Sequence, residues 1–473
     1  MRWGIRLIGL VSTVILARLL TPEDFGLVAM ATLLIGFIQG FSELGIQMYL
    51  IRKEVIADSD CNTAWTLQVG QYVLIFLFLI VFAPFAVRYF NEERLLDVIH
   101  IIAFSSLIMG FANIGLVLLR KELNFAKDFR FGIYHKLLAF FPTIILAAIL
   151  RDYWALVYGQ IISSIIFVVL SYIMHPFRPR FSITHAGEYI RFSLSLIPIN
   201  IARFLREKSD VFVAGRFVST SSLGGYHVAS ELASMVTKEI VGPVGRALFP
   251  TYAKLAGDKD KLCEAFLYVF TAITIVVVSF GLGLYIVAED LIALLLGSQW
   301  MQITPLLKLL ALYGILKTIS RTLSGNILIV AGYEKRTAIA EWIEISIMVP
   351  AAIIGGYYWG LLGIVQSIII ASLATIPITV TILSRSLGLS VIKLGSAVFS
   401  PLVAGTTMVL LVPHFNLYFH SNIIALVLSV VTGSTLFIGV LLLVWWLRGK
   451  PQGVESLFVN MVVNKLKMRF FAN

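Results

Sequence analysis

The pattern of apolar and polar residues divides this chain into fourteen apolar runs joined by short polar connections. The hydrocarbon layer of a bilayer is about 30 Å thick and an α-helix rises about 1.5 Å per residue, so about 20 apolar residues span it. Each run reaches or nearly reaches that length. The pattern therefore predicts an all-α polytopic membrane protein with helices at 3–20, 26–48, 64–87, 97–119, 131–150, 153–174, 190–216, 223–247, 265–288, 304–330, 337–358, 361–384, 395–413 and 422–447.

A short internal repeat relates two of the predicted helix turns. Arg18 is followed eight residues later by Gly26, which opens the second span, and Arg216 is followed at the same distance by Gly224 near the start of the eighth. A repeat offset by an even number of helices keeps its orientation in the membrane, so it predicts two parallel lobes of six helices. A chance similarity between two tight turns explains the pattern equally well at this stage.

The repeat and the loop composition together predict the domain organisation. The prolines and arginines of 175–189 indicate a cytoplasmic linker between the lobes, because proline disfavours helix on either side. The last segment has apolar residues at helical spacing and a basic end, which is typical of a helix lying on the inner leaflet. The predicted regions are an N-terminal lobe 1–174, the linker 175–189, a C-terminal lobe 190–384, an extra helix pair 395–447 and a cytoplasmic amphipathic tail 448–473.

Composition and charge agree with a membrane protein. Hydrophobic residues make up 59% of the chain, charged residues only 13%, and the mean hydropathy is +0.92. The net charge of +11 could indicate a nucleic-acid partner, but the cations sort by loop. With a cytoplasmic N-terminus, the inward-facing segments hold 21 Lys and Arg residues, whereas the outward-facing ones hold only Arg88, Arg94 and Arg151. This asymmetry predicts that both termini are cytoplasmic and excludes nucleic acid as the reason for the charge.

Charged residues also fall inside the predicted spans, at helical spacing. A cation near a helix centre costs about 2.5–3.5 kcal/mol even on the gentler insertion scales, so it seldom faces lipid. Helix seven carries Arg203, Arg206 and Asp210 on one face, and helix ten carries Lys317 and Arg321 on another. These faces are expected to line an aqueous cavity.

The intramembrane charges do not balance. Thirteen cations lie within or beside the spans, against five acids, Glu43, Asp210, Glu231, Glu341 and Glu344. Pairing between them explains any single residue about as well as ligand binding does, but it cannot neutralise the whole set. A cavity with surplus positive charge concentrates anions, and arginine binds phosphate bidentately. The predicted substrate-binding cations are Arg203, Arg206, Lys208, Lys317, Arg321, Arg18, Arg216 and Lys238, and the predicted acidic partners are Glu43, Asp210 and Glu231.

Motifs of catalysis are not found in the sequence. It has no phosphate-binding GxxxxGK[ST] loop, no histidines or cysteines at metal-ligand spacing and no Gly-x-Ser-x-Gly elbow. We therefore expect that this membrane protein is not an enzyme and that it has no cofactor and no metal site.

Two segments resemble a known family. The run 16–27, LARLLTPEDFGL, is similar to the first hairpin of Wzx-like polysaccharide flippases in the multidrug/oligosaccharidyl-lipid/polysaccharide exporter superfamily. The segment 294–300, LLLGSQW, followed by Pro305 and by 310–314, LALYG, resembles that family's start of helix ten. Members usually begin with a short cytoplasmic helix before the first span, whereas this chain starts at the span itself.

The resemblance implies a two-lobed, alternating-access transporter in a bacterial inner membrane. Its substrate would be an undecaprenyl-diphosphate-linked oligosaccharide for exopolysaccharide, capsule or O-antigen. Its partners would be membrane lipids and the polysaccharide polymerase and glycosyltransferases of the same pathway. A flippase of the peptidoglycan lipid precursor remains an alternative, because a basic cavity and fourteen spans suit it too. A multidrug or cation antiporter of the same superfamily fits less well, since cationic drugs need an acidic cavity.

Overall fold

The computed structural model describes residues 2–42, 45–53, 55–122, 124–237, 241–255, 257–415, 423–451 and 453–456. These ranges form helices and turns and contain no strand. The helices are α1 Arg2–Leu19, α2 Pro22–Ser42, α3 Ile46–Arg52, α4 Asp58–Phe90, α5 Leu95–Gly110, α6 Gly115–Lys121, α7 Phe125–Leu150, α8 Trp154–Met174, α9 Ala186–Phe217, α10 Thr220–Val236, α11 Gly242–Leu255, α12 Lys259–Leu291, α13 Thr304–Ser324, α14 Asn326–Val330, α15 Glu334–Leu387, α16 Val391–Phe415 and α17 Ile423–Leu447.

The helices confirm an all-α polytopic fold. By length and composition, eight helical stretches in the described ranges can cross a membrane, or nine if the bent pair α5 and α6 forms one span. The longest, α15, contains Gly360 at φ 59° and ψ −144°, so two helices meet there at a kink. This is the place where the sequence predicts the turn between helices eleven and twelve. The count of fourteen spans stays a prediction.

The described chain forms two compact units, residues 1–228 and 229–473. In the first unit, α4 packs on α5, α5 on α8 and α7 on α8, while α9 packs on α2 and α4. The predicted linker therefore precedes a helix that packs with the N-terminal helices, and the boundary between the units falls within α10. The predicted lobes are defined by how they move during transport, which compactness does not measure, so the division into lobes stays a prediction.

In the second unit, α12 packs against α13, α16 and α17, and α13 packs against α15. Phe266 and Phe270 of α12 stack in this core with 1% of their surface exposed. The predicted extra helix pair 395–447 thus packs onto α12. Most of the predicted amphipathic tail 448–473 lies outside the described residues.

A break separates α5 from α6, whose axes differ by 63°. The side-chain amide of Gln68 donates to the carbonyl oxygens of Gly110 and Ala112, at 3.0 and 2.9 Å. The backbone N–H of Asn113 donates to Ser171 Oγ at 2.9 Å. Backbone that leaves the helix at membrane depth needs such partners, because hydrocarbon offers none.

Residues 175–185 of the predicted linker 175–189 run along the start of α4, and we call them the linker strap, whereas 186–189 form the first turn of α9. Its backbone N–H groups at Arg180 and Ser182 donate to Asn62 Oδ1 and Thr66 Oγ1, at 2.7 and 2.9 Å. The side chains of one helix thereby replace the helical hydrogen bonds that the prolines of the strap prevent. The strap is held to the first unit along its length.

A cluster of polar side chains joins the end of the strap and the first turn of α9 to α3 and α4. Asp60, with 3% of its side chain exposed, accepts a hydrogen bond from Lys53 Nζ at 2.6 Å, and His185 Nε2 lies 3.7 Å from the same carboxylate. The hydroxyl of Tyr49 donates to Glu188 Oε2 at 2.7 Å. The bond from Lys53 raises the pKa of that lysine above its usual value.

Candidate functional site

The predicted basic face of helix seven lies on α9, which is helical throughout. Arg203 and Arg206 are part of this helix, but their side chains lie outside the described residues. Lys208, further along the same helix, is exposed. The contact of these three residues with a substrate stays a prediction.

Asp210 on α9 is one of the acids that the sequence predicts for the site. It is 6% exposed and accepts a hydrogen bond. It accepts a hydrogen bond of 2.6 Å from the hydroxyl of Tyr226, which is fully buried on α10. A bond of this kind to a charged group contributes about 1.5–3 kcal/mol. It joins α9 to α10 across their short connection, so Asp210 has a structural role whatever its part in binding.

The two predicted cations of the internal repeat, Arg18 and Arg216, are both exposed and lie in the last turns of α1 and α9. There a positive charge also interacts favourably with the helix dipole. Arg216 donates to the carbonyl oxygen of Tyr89 at 3.2 Å and lies 6.0 Å from its ring centroid. This arginine therefore ties the end of α9 to the end of α4.

The predicted basic face of helix ten lies on α13. Lys317 and Arg321 are half-buried, one turn apart, and Lys317 Nζ lies 5.2 Å from the ring centroid of Tyr313. The helix ends shortly after Arg321, where Gly325 adopts φ −87° and ψ −131° and separates α13 from α14. Discontinuous helices of this kind form binding sites in transporters.

A buried carboxylate, Glu344, lies beside that basic face. It is 7% exposed on α15 and accepts a hydrogen bond from Ser320 Oγ of α13 at 3.3 Å. The sequence predicts Glu344 only as one of the intramembrane acids. Its pairing with Ser320 depends on the packing of α13 against α15, for which no local motif exists.

The predicted acid of helix eight, Glu231, lies on α10 and is exposed, and so is His227 one turn before it. Two further predicted site residues, Glu43 and Lys238, lie outside the described residues. Among the residues that the structure describes, no group of three His, Cys, Asp or Glu side chains could hold a metal ion.

Comparison with known proteins identifies the family and the fold. Residues 15–305 match the model of a family described as "Polysaccharide biosynthesis protein". The chain is 23% identical over 438 residues to an uncharacterized membrane protein in the cps region of Klebsiella pneumoniae, covering 91% of this chain and 90% of that protein. It is 24% identical over 365 residues to the lipopolysaccharide biosynthesis protein WzxC of Escherichia coli, covering 76% of this chain and 73% of that protein.

Solved structures with the same fold include two transporters. The lipid II flippase MurJ in an inward closed conformation has a TM-score of 0.73 at 17% identity, covering 94% of this chain and 97% of that one. An inward-facing multidrug resistance MATE family transporter of the MOP superfamily has a TM-score of 0.59 at 16% identity, covering 82% and 96%. The predicted resemblance to Wzx-like flippases of this superfamily is confirmed. Since the family match spans more than half of the sequence, this chain belongs to the polysaccharide biosynthesis protein family.

Proposed function

We propose that this protein flips a polyprenyl-diphosphate-linked oligosaccharide from the inner to the outer leaflet of a bacterial inner membrane by alternating access. The product would be exopolysaccharide, capsule or O-antigen. The observation that carries the proposal is the family match over residues 15–305, and the relatives' names, WzxC and the protein of a cps region, agree with it. The chain acts as a transporter and not as an enzyme.

The basic faces of α9 and α13 supply the chemistry that such a substrate needs. A diphosphate crossing the membrane must exchange its hydration for other partners, and arginine offers a planar fork that matches phosphate oxygens. Arg203 and Arg206 on α9 and Lys317 and Arg321 on α13 are the proposed contacts. The ring of Tyr313 beside Lys317 holds the ammonium group by a cation–π interaction and so limits its movement before substrate arrives.

A structural explanation exists for Arg321 as well. It lies in the last turn of α13, where a cation offsets the helix dipole by about 0.3–1 kcal/mol. Binding and dipole compensation predict different results for Arg321→Gln. Loss of a charge-assisted contact to substrate costs about 1.5–3 kcal/mol, or about tenfold or more in transport, with the amount of protein in the membrane unchanged. Loss of dipole compensation lowers stability and leaves transport by the surviving protein normal.

The experiment measures polysaccharide export in a strain that lacks this gene and carries the variants Arg206→Gln, Arg321→Gln and the double variant. Lys308→Gln is the matched control, because Lys308 is also a half-buried cation on α13 but lies 5.8 Å from the ring of Tyr285, nearer the start of the helix. We expect export to fall with each arginine variant and not with the control. Normal export from both single variants and the double variant would refute the anionic site.

A glycolipid substrate and the peptidoglycan precursor are separated by complementation. If this chain restored growth to cells depleted of their lipid II flippase and its deletion left surface polysaccharide unchanged, the peptidoglycan alternative would replace the proposal. If its deletion made cells sensitive to cationic drugs instead, the antiporter alternative would hold. In the deletion strain we expect lipid-linked oligosaccharide to accumulate in the inner leaflet. We expect neither rescue of the cells depleted of their lipid II flippase nor sensitivity to cationic drugs.

The proposed orientation has both termini in the cytoplasm, as the excess of cations in the inward-facing segments predicts. The variant Lys465→Cys tests it in intact cells with a thiol reagent that does not cross the membrane. We expect labelling only after the cells are opened. Labelling in intact cells would place the C-terminus outside.

A further inference from the structure

The starts of α2 and α10 cross with their backbones in contact. A Cβ atom built on Gly26 would lie 1.8 Å from the carbonyl oxygen of Thr220, and one built on Gly224 would lie 1.8 Å from that of Pro22. Real Cβ contacts essentially never fall below 3.0 Å. Only glycine therefore fits at either position unless the main chain moves. We call the residues 22–26 and 220–224 the hairpin crossing.

The contacts in the hairpin crossing are reciprocal. Gly26 and Gly224 occupy equivalent positions in the internal repeat, and so do Pro22 and Thr220. Gly26 contacts Thr220, and Gly224 contacts Pro22, which holds the position of Thr220 in the other repeat. Twofold symmetry produces this pattern of mutual contact. The crossing lies where the two repeats meet, on the side of the membrane predicted to be outside.

The two helices also begin in the same way. The backbone N–H of Asp24 donates to Thr21 Oγ1 at 3.3 Å, and the backbone N–H of Ser222 donates to Ser219 Oγ at 3.3 Å. Side-chain caps of this kind fix the first turn of a helix. Each glycine lies five residues after its cap residue, so the two hold the same position in their helices.

The turn between α4 and α5 connects both hairpins. Arg94 donates to Glu23 Oε1 at 2.6 Å and to Glu92 Oε1 at 2.8 Å. The hydroxyl of Thr220 donates to Glu92 Oε2 at 2.9 Å. We call this chain of bonds, which runs from α2 through the turn to α10, the Glu92–Arg94 clip.

Both parts of this arrangement can separate at little cost. The bond that must open, from the hydroxyl of Thr220 to Glu92 Oε2, is a single hydrogen bond between the turn and α10, and Glu92 keeps its bonds to Arg94 when it opens. The atoms nearest to the two glycines are main-chain atoms, so neither the contact of Gly26 nor that of Gly224 requires a change of rotamer when the helices part. Closure, in contrast, depends on a close steric fit of two backbones.

We propose that the hairpin crossing is the outer closure of the transport path and that the Glu92–Arg94 clip is its latch. The starts of α2 and α10 separate when the path opens to the outer leaflet, and they close again through the paired glycines. The inference rests on the proposed function, because a flippase must open on this side to release its substrate. It adds the residues at which this opening occurs.

Two cysteine pairs test the latch, in a background with Cys61→Ala and Cys263→Ala. The pair Glu92→Cys and Thr220→Cys joins the turn to α10, across the predicted lobes. The pair Glu23→Cys and Arg94→Cys joins the same turn to α2, within the predicted N-terminal lobe, and serves as the matched control. We expect a short crosslink in the first pair to arrest export until it is reduced, whereas a crosslink in the second pair leaves export near normal.

The glycines are tested by the rate of crosslinking in isolated membranes, which requires no substrate. Gly26→Ala should slow crosslinking of the Glu92→Cys and Thr220→Cys pair about tenfold, because the added methyl group overpacks the crossing. Gly36→Ala, in the same helix, is the control, since a Cβ there would meet only Phe204 Cε2 at 3.8 Å. Overpacking can also reduce the amount of folded protein, so the crosslinking rate is normalised to protein that elutes as a monodisperse peak.

Each result supports or overturns the proposal that the hairpin crossing is the outer closure. Normal export by the crosslinked Glu92→Cys and Thr220→Cys protein, or equal arrest by both crosslinks, would overturn it. Equal crosslinking rates in Gly26→Ala and Gly36→Ala would overturn the role of the glycines. If deletion of the gene left export unchanged, the proposed function would fail, but the rates in membranes would still decide whether the crossing opens.

Discussion

The hairpin crossing and the linker strap both join segments far apart in the sequence of the first unit, but by different means. The crossing relies on two glycine backbones in contact and on a partly exposed ion pair. The strap relies on side chains that bond its backbone N–H groups and on a nearly buried carboxylate, Asp60. A buried polar group left without a partner costs about 1–3 kcal/mol, whereas an exposed ion pair is worth about 0–1 kcal/mol. The strap therefore suits a permanent attachment, and the crossing suits a contact that opens.

The largest expected difference between the two regions comes from alanine at their glycines. In Gly224→Ala the new methyl group would lie 1.8 Å from a main-chain oxygen, which moves only with its helix. In Gly115→Ala it would lie 2.1 Å from Nδ1 of His175 in the strap, and a side chain can rotate away. Overpacking costs about 1–3 kcal/mol, so we expect export to fall about tenfold or more in Gly224→Ala. A greater loss in Gly115→Ala would reverse the comparison.

A smaller effect, on stability, is expected from Asn113→Ala at the strap. Asn113 is 2% exposed, donates to the carbonyl oxygen of Phe177 at 2.8 Å and accepts from the backbone N–H of Gly115 at 2.9 Å. Its loss leaves the buried backbone N–H of Gly115 unpaired, at about 1–3 kcal/mol, whereas the carbonyl oxygen of Phe177 keeps its bond from Arg178 Nη1 at 3.0 Å. The unfolding temperature in a fixed detergent should fall clearly. Asn62→Ala is the control, since Asn62 bonds an exposed residue of the strap, Arg180, and its loss should matter less.

The crossing is expected to weaken in acid. The hydrogen bond from Arg94 is the main reason that the pKa of Glu92 lies below its ordinary value of 4.5. A depressed carboxylate pKa contributes stability that is fully present above the unfolded-state pKa and is lost as the pH falls through the folded-state pKa. The distance between spin labels attached at Glu93→Cys and Ser221→Cys, which leaves the clip residues in place, should therefore increase as the pH falls below about 4.5. The same increase in Glu92→Gln would show that another group titrates.

The smallest effect is expected from Glu23→Gln at the latch. The variant removes one exposed ion pair, worth about 0–1 kcal/mol, so the unfolding temperature should change little. Opening of the crossing should become easier, which would appear as faster labelling of a cysteine at Ser221 by an impermeant reagent. A large fall in unfolding temperature would mean that the clip is a structural contact like those of the strap.

The sequence by itself determined the fold class and the family. Apolar runs of bilayer length predict membrane helices because the hydrocarbon layer imposes that length, and this needs no knowledge of neighbours. The hairpin at residues 16–27 was enough to indicate the family. The repeat of Arg18 with Gly26 and of Arg216 with Gly224 marked both partners of the hairpin crossing, although a short repeat alone could not show that they touch.

Only the tertiary structure decided which of these residues meet. Asp210 is bonded to Tyr226 inside the helix pair, Ser320 bonds Glu344, and the predicted linker is held along α4. Helical spacing places residues on a face of their own helix, but it does not say which helix lies opposite. That choice results from the packing of many side chains at once, to which each residue contributes little, so no local pattern records it.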